Sequence, residues 1–213
     1  MNDMNTITAS TAIDSIVIEA ADPAAAERFY AEAFGLGARI RVRATDSPST
    51  GFRGYVASLV VSQPAAVRRL VAAAVAAGAT VVKPVAKSMW GVGGVVQAPD
   101  GSVWKIATSA KKDTAPDTGE IERIVLLLGG DDILASKRFY VEQGFRVGKS
   151  FGRSYVEFEN QGGAIQLGLY RRGPLAKDAG VPEEGSGSHR LVLVGGDSTT
   201  TDPDGFEWEP AGR

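Results

Sequence analysis

The chain has 213 residues, no cysteine and one histidine, and its 23 Lys plus Arg against 25 Asp plus Glu leave a formal charge of −2. Without cysteine there is no disulfide framework, thiolate nucleophile or cysteine zinc cluster. With His189 alone, no multi-histidine metal site can form within one chain.

In chain order, MNDMNTITAST lacks a basic n-region and an apolar h-region, so residues 1–12 read as a tail and not as a signal peptide. Ile13–Glu19 alternates as a strand, with Ile13, Ser15, Val17 and Glu19 on one face and Asp14, Ile16 and Ile18 on the other. A helix follows. Asp22 can cap it, Pro23 suits its first turn, Gly35 can end it, and Ala26, Phe29, Tyr30 and Ala33 form its apolar stripe. Strands are expected at Ala38–Ala44 and Tyr55–Val61, then a helix at Pro64–Ala77 ended by Gly78. That helix holds the longest apolar run, which carries Arg68 and Arg69 and is too short to span a bilayer. Strands at Thr80–Val85, Gly94–Gln97 and Ser102–Thr108 complete a first unit. Gly91, Gly93 and Gly94 precede no helix, so they read as a bend or bulge and not as a phosphate loop.

A second unit repeats the first. Ile13, Ile16, Val17 and Arg28-Phe29-Tyr30 recur as Ile121, Ile124, Val125 and Arg138-Phe139-Tyr140, and APDG at 98–101 recurs as DPDG at 202–205. This divides the chain into a domain at 13–108, a linker at 109–120 and a domain at 121–213. In the second unit Asp131 or Asp132 caps the helix and Gly144 ends it. Strands follow at Ser154–Glu159 and Ala164–Tyr170, then a long loop from Arg171 to Ser188, then a strand at His189–Val194. The acidic, Gly-rich part of that loop, 178–188, reads as a lid or a plain connection, and the Arg pairs at 68–69 and 171–172 as solvated charges. Nothing matches the first unit's second helix here, so the C-terminal module is abbreviated.

The RFY triplets at 28–30 and 138–140, VVKP at 81–84, Trp90-Gly91 and the APDG/DPDG turns resemble the vicinal oxygen chelate superfamily of glyoxalases, bleomycin-resistance proteins and extradiol dioxygenases. The resemblance implies an α+β fold of tandem βαβββ modules, with curled mixed sheets and helices on the outside. It also implies a sheet-lined cavity that commonly holds a metal. Carried over residue by residue, the first unit's ligand positions read Ser15, Val56 and Lys105, which cannot hold a divalent cation. The second unit's read Arg123, a permanent cation, and Glu209, with Gln166 and His189 near the remaining positions. Any metal set would be His189, Gln166 and Glu209.

The expectation is therefore a cytoplasmic protein that needs no cofactor and binds a small aromatic or amphipathic molecule. The near-neutral charge gives no footprint for nucleic acid, and no membrane partner is implied. The chain would act as a monomer or homodimer. Arg123, Glu209 and Lys105 are the expected anchors, with His189, Gln166, Trp90 and Tyr155 as further ligand-binding candidates. Arg123 and Glu209 could instead pair with each other. Phe29, Tyr30, Phe139, Tyr140, Trp104 and Trp208 are assigned to the core; Met89, Trp90, Phe52, Tyr55, Phe151 and Tyr155 are the aromatic and apolar candidates for a pocket wall. A metal-dependent lyase, isomerase or dioxygenase using the second unit, and a purely structural protein with a filled cavity, remain the alternatives.

Overall fold

The structure is a computed structural model and describes residues 12–212. The 1–11 part of the expected tail, and the reading that it is no signal peptide, lie outside the described residues.

The first unit contains β1 (Ser15–Ala20), α1 (Pro23–Ala33), β2 (Ile40–Ala44), β3 (Ser49–Gly51), β4 (Tyr55–Val60), α2 (Pro64–Ala76), β5 (Thr80–Ser88), β6 (Gly91–Gln97) and β7 (Val103–Thr108). A 3-10 turn at Gly37–Arg39 replaces the expected start of β2. The second unit contains β8 (Arg123–Gly130), α3 (Ile133–Glu142), β9 (Val147–Phe151), β10 (Tyr155–Phe158), β11 (Ile165–Arg171), α4 (Arg172–Ala179), β12 (Gly185–Gly187), β13 (Leu191–Val194), β14 (Thr200–Thr201) and β15 (Glu207–Glu209).

Local chemistry sets the helix ends. Asp22 accepts from the Ala25 N–H at 2.9 Å, and Pro23 opens α1 where a missing N–H costs nothing. Of the two candidate caps for α3 it is Asp132 that acts, accepting from the backbone N–H groups of Leu134 and Ala135.

The strands form an eight-stranded sheet in the order β5-β6-β7-β4-β8-β11-β10-β9, a five-stranded sheet in the order β14-β15-β13-β1-β2, and a ribbon of β12 with β3. The eight-stranded sheet joins two complete βαβββ modules, β4-α2-β5-β6-β7 and β8-α3-β9-β10-β11, by antiparallel pairing of β4 with β8. The five-stranded sheet joins the two abbreviated modules through β1 and β13. Residues 13–108 thus contribute four strands to the eight-stranded sheet and two to the five-stranded one.

The main core lies between the sheets and around α1, α2 and α3. The repeated Phe-Tyr pairs occupy equivalent places in it. Tyr30 packs on Trp104 with ring centroids 5.4 Å apart, and Tyr140 packs on Trp208 at 5.9 Å. The Tyr140 hydroxyl donates to Asp202 at 2.6 Å, and the Tyr30 hydroxyl donates to Asp100. Each tyrosine therefore ties a helix to a turn between strands, the one before β7 for Tyr30 and the one before β15 for Tyr140.

Alternation in the eight-stranded sheet sends Tyr55, Ala57, Leu59, Trp104, Ile106, Ile124, Leu126, Leu128, Leu167 and Leu169 into that core. Val56, Ser58, Val103, Lys105, Arg123, Val125, Leu127, Gln166, Gly168 and Tyr170 alternate with them and face the other way, onto what we call the inner face.

The expected loop from Arg171 to Ser188 is not a loop. It folds into α4, which lies on the inner face, and β12, which pairs with β3. Gly173 and Pro174 read as breakers in the sequence. They fall in the first turn of α4, where the N–H groups have no intrahelical partner and proline is tolerated. Leu175, Ala176 and Ala179 are buried against Phe52, Val56, Val95 and Val103. Gly180, at φ 82°, ends the helix in the left-handed conformation that glycine adopts freely.

Candidate functional site

Four central strands of the eight-stranded sheet carry one row of side chains in register across the inner face. Lys105 pairs with Ser58, Ser58 with Val125, and Val125 with Gln166. An ammonium, a hydroxyl, an alkyl group and an amide make up this row, and only the amide oxygen is an ordinary metal donor. That oxygen faces the Arg123 guanidinium, whose Nη1 donates to it at 3.4 Å, while the Gln166 amide N–H donates to the Phe158 carbonyl at 3.0 Å. The row does not fit a divalent cation.

The five-stranded sheet offers a second such row, with Ser15 in register with Val194 and Val194 with Glu209. Here Glu209 pairs with Arg43 at 2.7 Å, and Arg43 also holds Glu19 at 2.8 Å. The two carboxylates raise the Arg43 pKa, Glu209 most strongly. Arg41 donates to the Ser15 hydroxyl at 3.1 Å. Among the described residues, no three His, Asp or Glu side chains come together in a way that could hold a metal ion.

The set His189, Gln166 and Glu209 is not assembled. Gln166 is on the eight-stranded sheet and Glu209 on the five-stranded one. His189 precedes β13 and is packed into a joint. Its Nδ1 is 2.5 Å from the Arg53 carbonyl oxygen, its Nε2 is 3.0 Å from the Asp204 carbonyl oxygen, and its ring stacks on Phe206 at 4.0 Å. Both ring nitrogens are engaged, so neither is free to ligate. The same separation of sheets removes the expected pairing of Arg123 with Glu209.

The other candidates divide by location. Lys105 on the inner face pairs with Asp178 of α4 at 2.7 Å. Tyr155 also lies on this side: its hydroxyl donates to Glu157 at 3.0 Å, its ring meets Tyr170 edge-on at 5.7 Å, and burial pushes its phenol pKa up. Trp90 sits on the β5–β6 turn and is 83% exposed, apart from the residues that line the cavity beside α4. Met89 and Phe151 are likewise exposed, and Tyr55 is buried in the core.

An open cavity of about 860 Å³ lies beside α4 on the inner face and is lined by Lys83, Tyr170, Pro174, Ala176, Val181 and Glu183, among others. Most of these residues were not anticipated. The spacing of Leu175, Ala176 and Ala179 ahead of Gly180 was the available sign of a helix. The Arg172 side chain is not merely solvated. It donates to the carbonyls of Phe52 at 2.6 Å and Glu183 at 3.2 Å, and lies over the Phe52 ring.

No family model and no curated protein matches the sequence. Among solved structures, a V278E variant of glyoxalase I from Zea mays matches with a TM-score of 0.61 at 14% identity, over 94% of this chain and 92% of that one. Unsubstituted glyoxalase I from Zea mays matches with a TM-score of 0.59 at 14% identity, over 93% of this chain and 91% of that one. A dioxygenase candidate from Bacillus subtilis matches with a TM-score of 0.61 at 12% identity, over 95% of this chain and 85% of that one. Two βαβββ modules joined edge to edge, a second pair sharing the same core, and these whole-length matches lead to one conclusion: the chain has the fold of the vicinal oxygen chelate superfamily.

Proposed function

We infer that the chain binds a small aromatic or amphipathic molecule, without a metal, in the cavity beside α4. The observation that carries this reading is the cavity itself. Its volume of about 860 Å³ falls in the range of small-molecule sites, and this open groove sets apolar walls beside charged groups, as an amphipathic ligand requires. Tyr170, Pro174, Ala176 and Val181 supply an apolar lining; Lys83, Lys177, Asp178 and Glu183 supply polar contacts. Lys105 borders it through Asp178, and Tyr155 backs Tyr170. Arg123 and Gln166 lie farther along the same face. His189 and Glu209 belong to other parts of the molecule and are not assigned to this site.

A lyase, isomerase or dioxygenase of the metal-dependent kind would need carboxylate or imidazole donors in the Lys105–Ser58–Val125–Gln166 row, and that row has none. We read 13–108 and 121–213 as duplicated units that build the sheets together, so one chain can close the cavity as a monomer.

A fluorescence titration with N-phenyl-1-naphthylamine, a neutral aromatic probe, tests the reading. Saturable binding in the presence of chelator is expected, weakened about tenfold by Tyr170→Ala, roughly the value of one well-packed aromatic contact. Absence of saturable binding, or binding indifferent to Tyr170→Ala, would refute it.

A further inference from the structure

We propose that a second binding chamber lies beneath α4, that it takes a flat uncharged apolar molecule, and that α4 is its displaceable resident. This rests on the reading that the inner face is the ligand-binding face. The floor under α4 consists of Phe52, Val56, Val95 and Val103, with Leu127 beside them, and Lys105, in register with Val95, stands at its edge with its charge taken by Asp178. It draws on strands from both complete modules.

What covers this floor is slight. The buried side chains of α4 are one leucine and two alanines. An eight-residue helix is far too short to persist without tertiary contacts. It also begins with Gly173 and Pro174 in its first turn and ends at Gly180.

The two ends are held differently. At the first turn, Arg172 reaches under the chain to the Phe52 carbonyl and ring. At the last turn, Lys83 donates to the carbonyls of Lys177 and Asp178, and Lys105 pairs with the Asp178 carboxylate. Ammonium groups are favoured at a helix C-terminus. These fastenings are nevertheless solvent-accessible, with Lys105 and Asp178 side chains 31% and 45% exposed, and such pairs are weak. The geometry is a flap hinged near Arg172 and latched by two lysines.

The repeat supplies an internal comparison. After β7, the last strand of the other complete module, the chain leaves the inner face: Asp113 and Asp117 bind Arg68 and Arg69 of α2. Only after β11 does the chain turn back over the inner face. The helix is therefore an addition to one half of a duplicated plan, packed on the apolar floor of the inner face. A molecule on the floor must compete with it, and the latch sets the apparent affinity.

Two variants and one probe test this. Lys83→Met with Lys105→Met removes the latch without adding charge. A Lys105→Cys/Asp178→Cys pair, joined by a short bismaleimide in this cysteine-free chain, fixes it shut. Amide hydrogen exchange at 175–179 is expected to quicken about tenfold in the unlatched variant while that of β4 and β8 is unchanged, the combined effect of two weak fastenings. Affinity for N-phenyl-1-naphthylamine is expected to rise by a similar factor there and to fall in the cross-linked protein. Unchanged exchange of α4, or probe affinity that ignores both variants, would overturn the proposal. If Tyr170→Ala weakens the probe while the cross-link does not, the cavity beside α4 stands and the chamber beneath it falls.

Discussion

Two buried leucines separate a detachable α4 from one that belongs to the common core. Leu126 is fully buried in β8, between Ala57 of β4 and Leu167 of β11. Replacing it with Ala should cost about 3–5 kcal/mol through lost transfer energy and a cavity no neighbour can fill. At about 2–4 °C per kcal/mol for a chain of this size, the melting temperature should fall on the order of 10 °C. Leu175 is as well buried, at 1% exposure, but its neighbours are α4 and the inner face. Leu175→Ala removes about 2 kcal/mol of transfer energy, and the global cost cannot exceed what docking of α4 contributes. A fall of at most about 4–8 °C is expected, with exchange of the α4 amides about 30-fold faster. Calorimetry and hydrogen exchange on the two variants provide the readouts. If Leu175→Ala melts as low as Leu126→Ala, with α4 exchanging only on global unfolding, the helix is core and the reasoning fails.

Three further outcomes follow from the same contacts. A Cβ at Gly185 would collide with the Phe52 carbonyl, so Gly185→Ala should open the β3–β12 ribbon and loosen α4 at its Arg172 end, at a cost of about 2 kcal/mol visible in denaturant unfolding. The Arg43–Glu209 pair is largely exposed, at 42% and 39%; Glu209→Gln should cost under about 1 kcal/mol, vanish near about 1 M salt and leave probe binding unchanged. Burial first, then the neighbouring Asp100 or Asp202 carboxylate, pushes the phenols of Tyr30 and Tyr140 well above the ordinary tyrosine value of 10.0. A raised folded-state pKa gives stability that is full below the unfolded value and is lost as pH climbs past it. These two tyrosines should therefore release no phenolate absorbance before alkaline unfolding above about pH 10.

Much of the fold was readable because its signals are local. Asp22, Pro23 and Gly35 frame α1, and the RFY triplets and DPDG-type turns mark equivalent places in two units. Pairing between units was not local. Carrying the superfamily's ligand positions onto the second unit groups His189, Gln166 and Glu209, because it treats the strands of one unit as sharing a cavity. In the fold, β11 goes to the eight-stranded sheet and β15 to the five-stranded one, so residues of one unit face different ways. The engagement of His189 depends on the Arg53 and Asp204 carbonyls, whose approach no spacing encodes. The segment after β11 was obscured differently. Gly173 and Pro174 hid a short helix, and β12, with sequence Gly-Ser-Gly, has no apolar alternation to mark it as a strand.

The central claim is that a small molecule binds on the inner face of the eight-stranded sheet without a metal. A methyl-resolved NMR titration with N-phenyl-1-naphthylamine in the presence of chelator tests it most directly. Saturable shifts are expected at Ala176, Val181, Val95 and Leu127, with Val17, Val192 and Val194 of the five-stranded sheet unmoved. Shifts confined to the latter three, or binding that begins only when a divalent cation is added, would contradict the account.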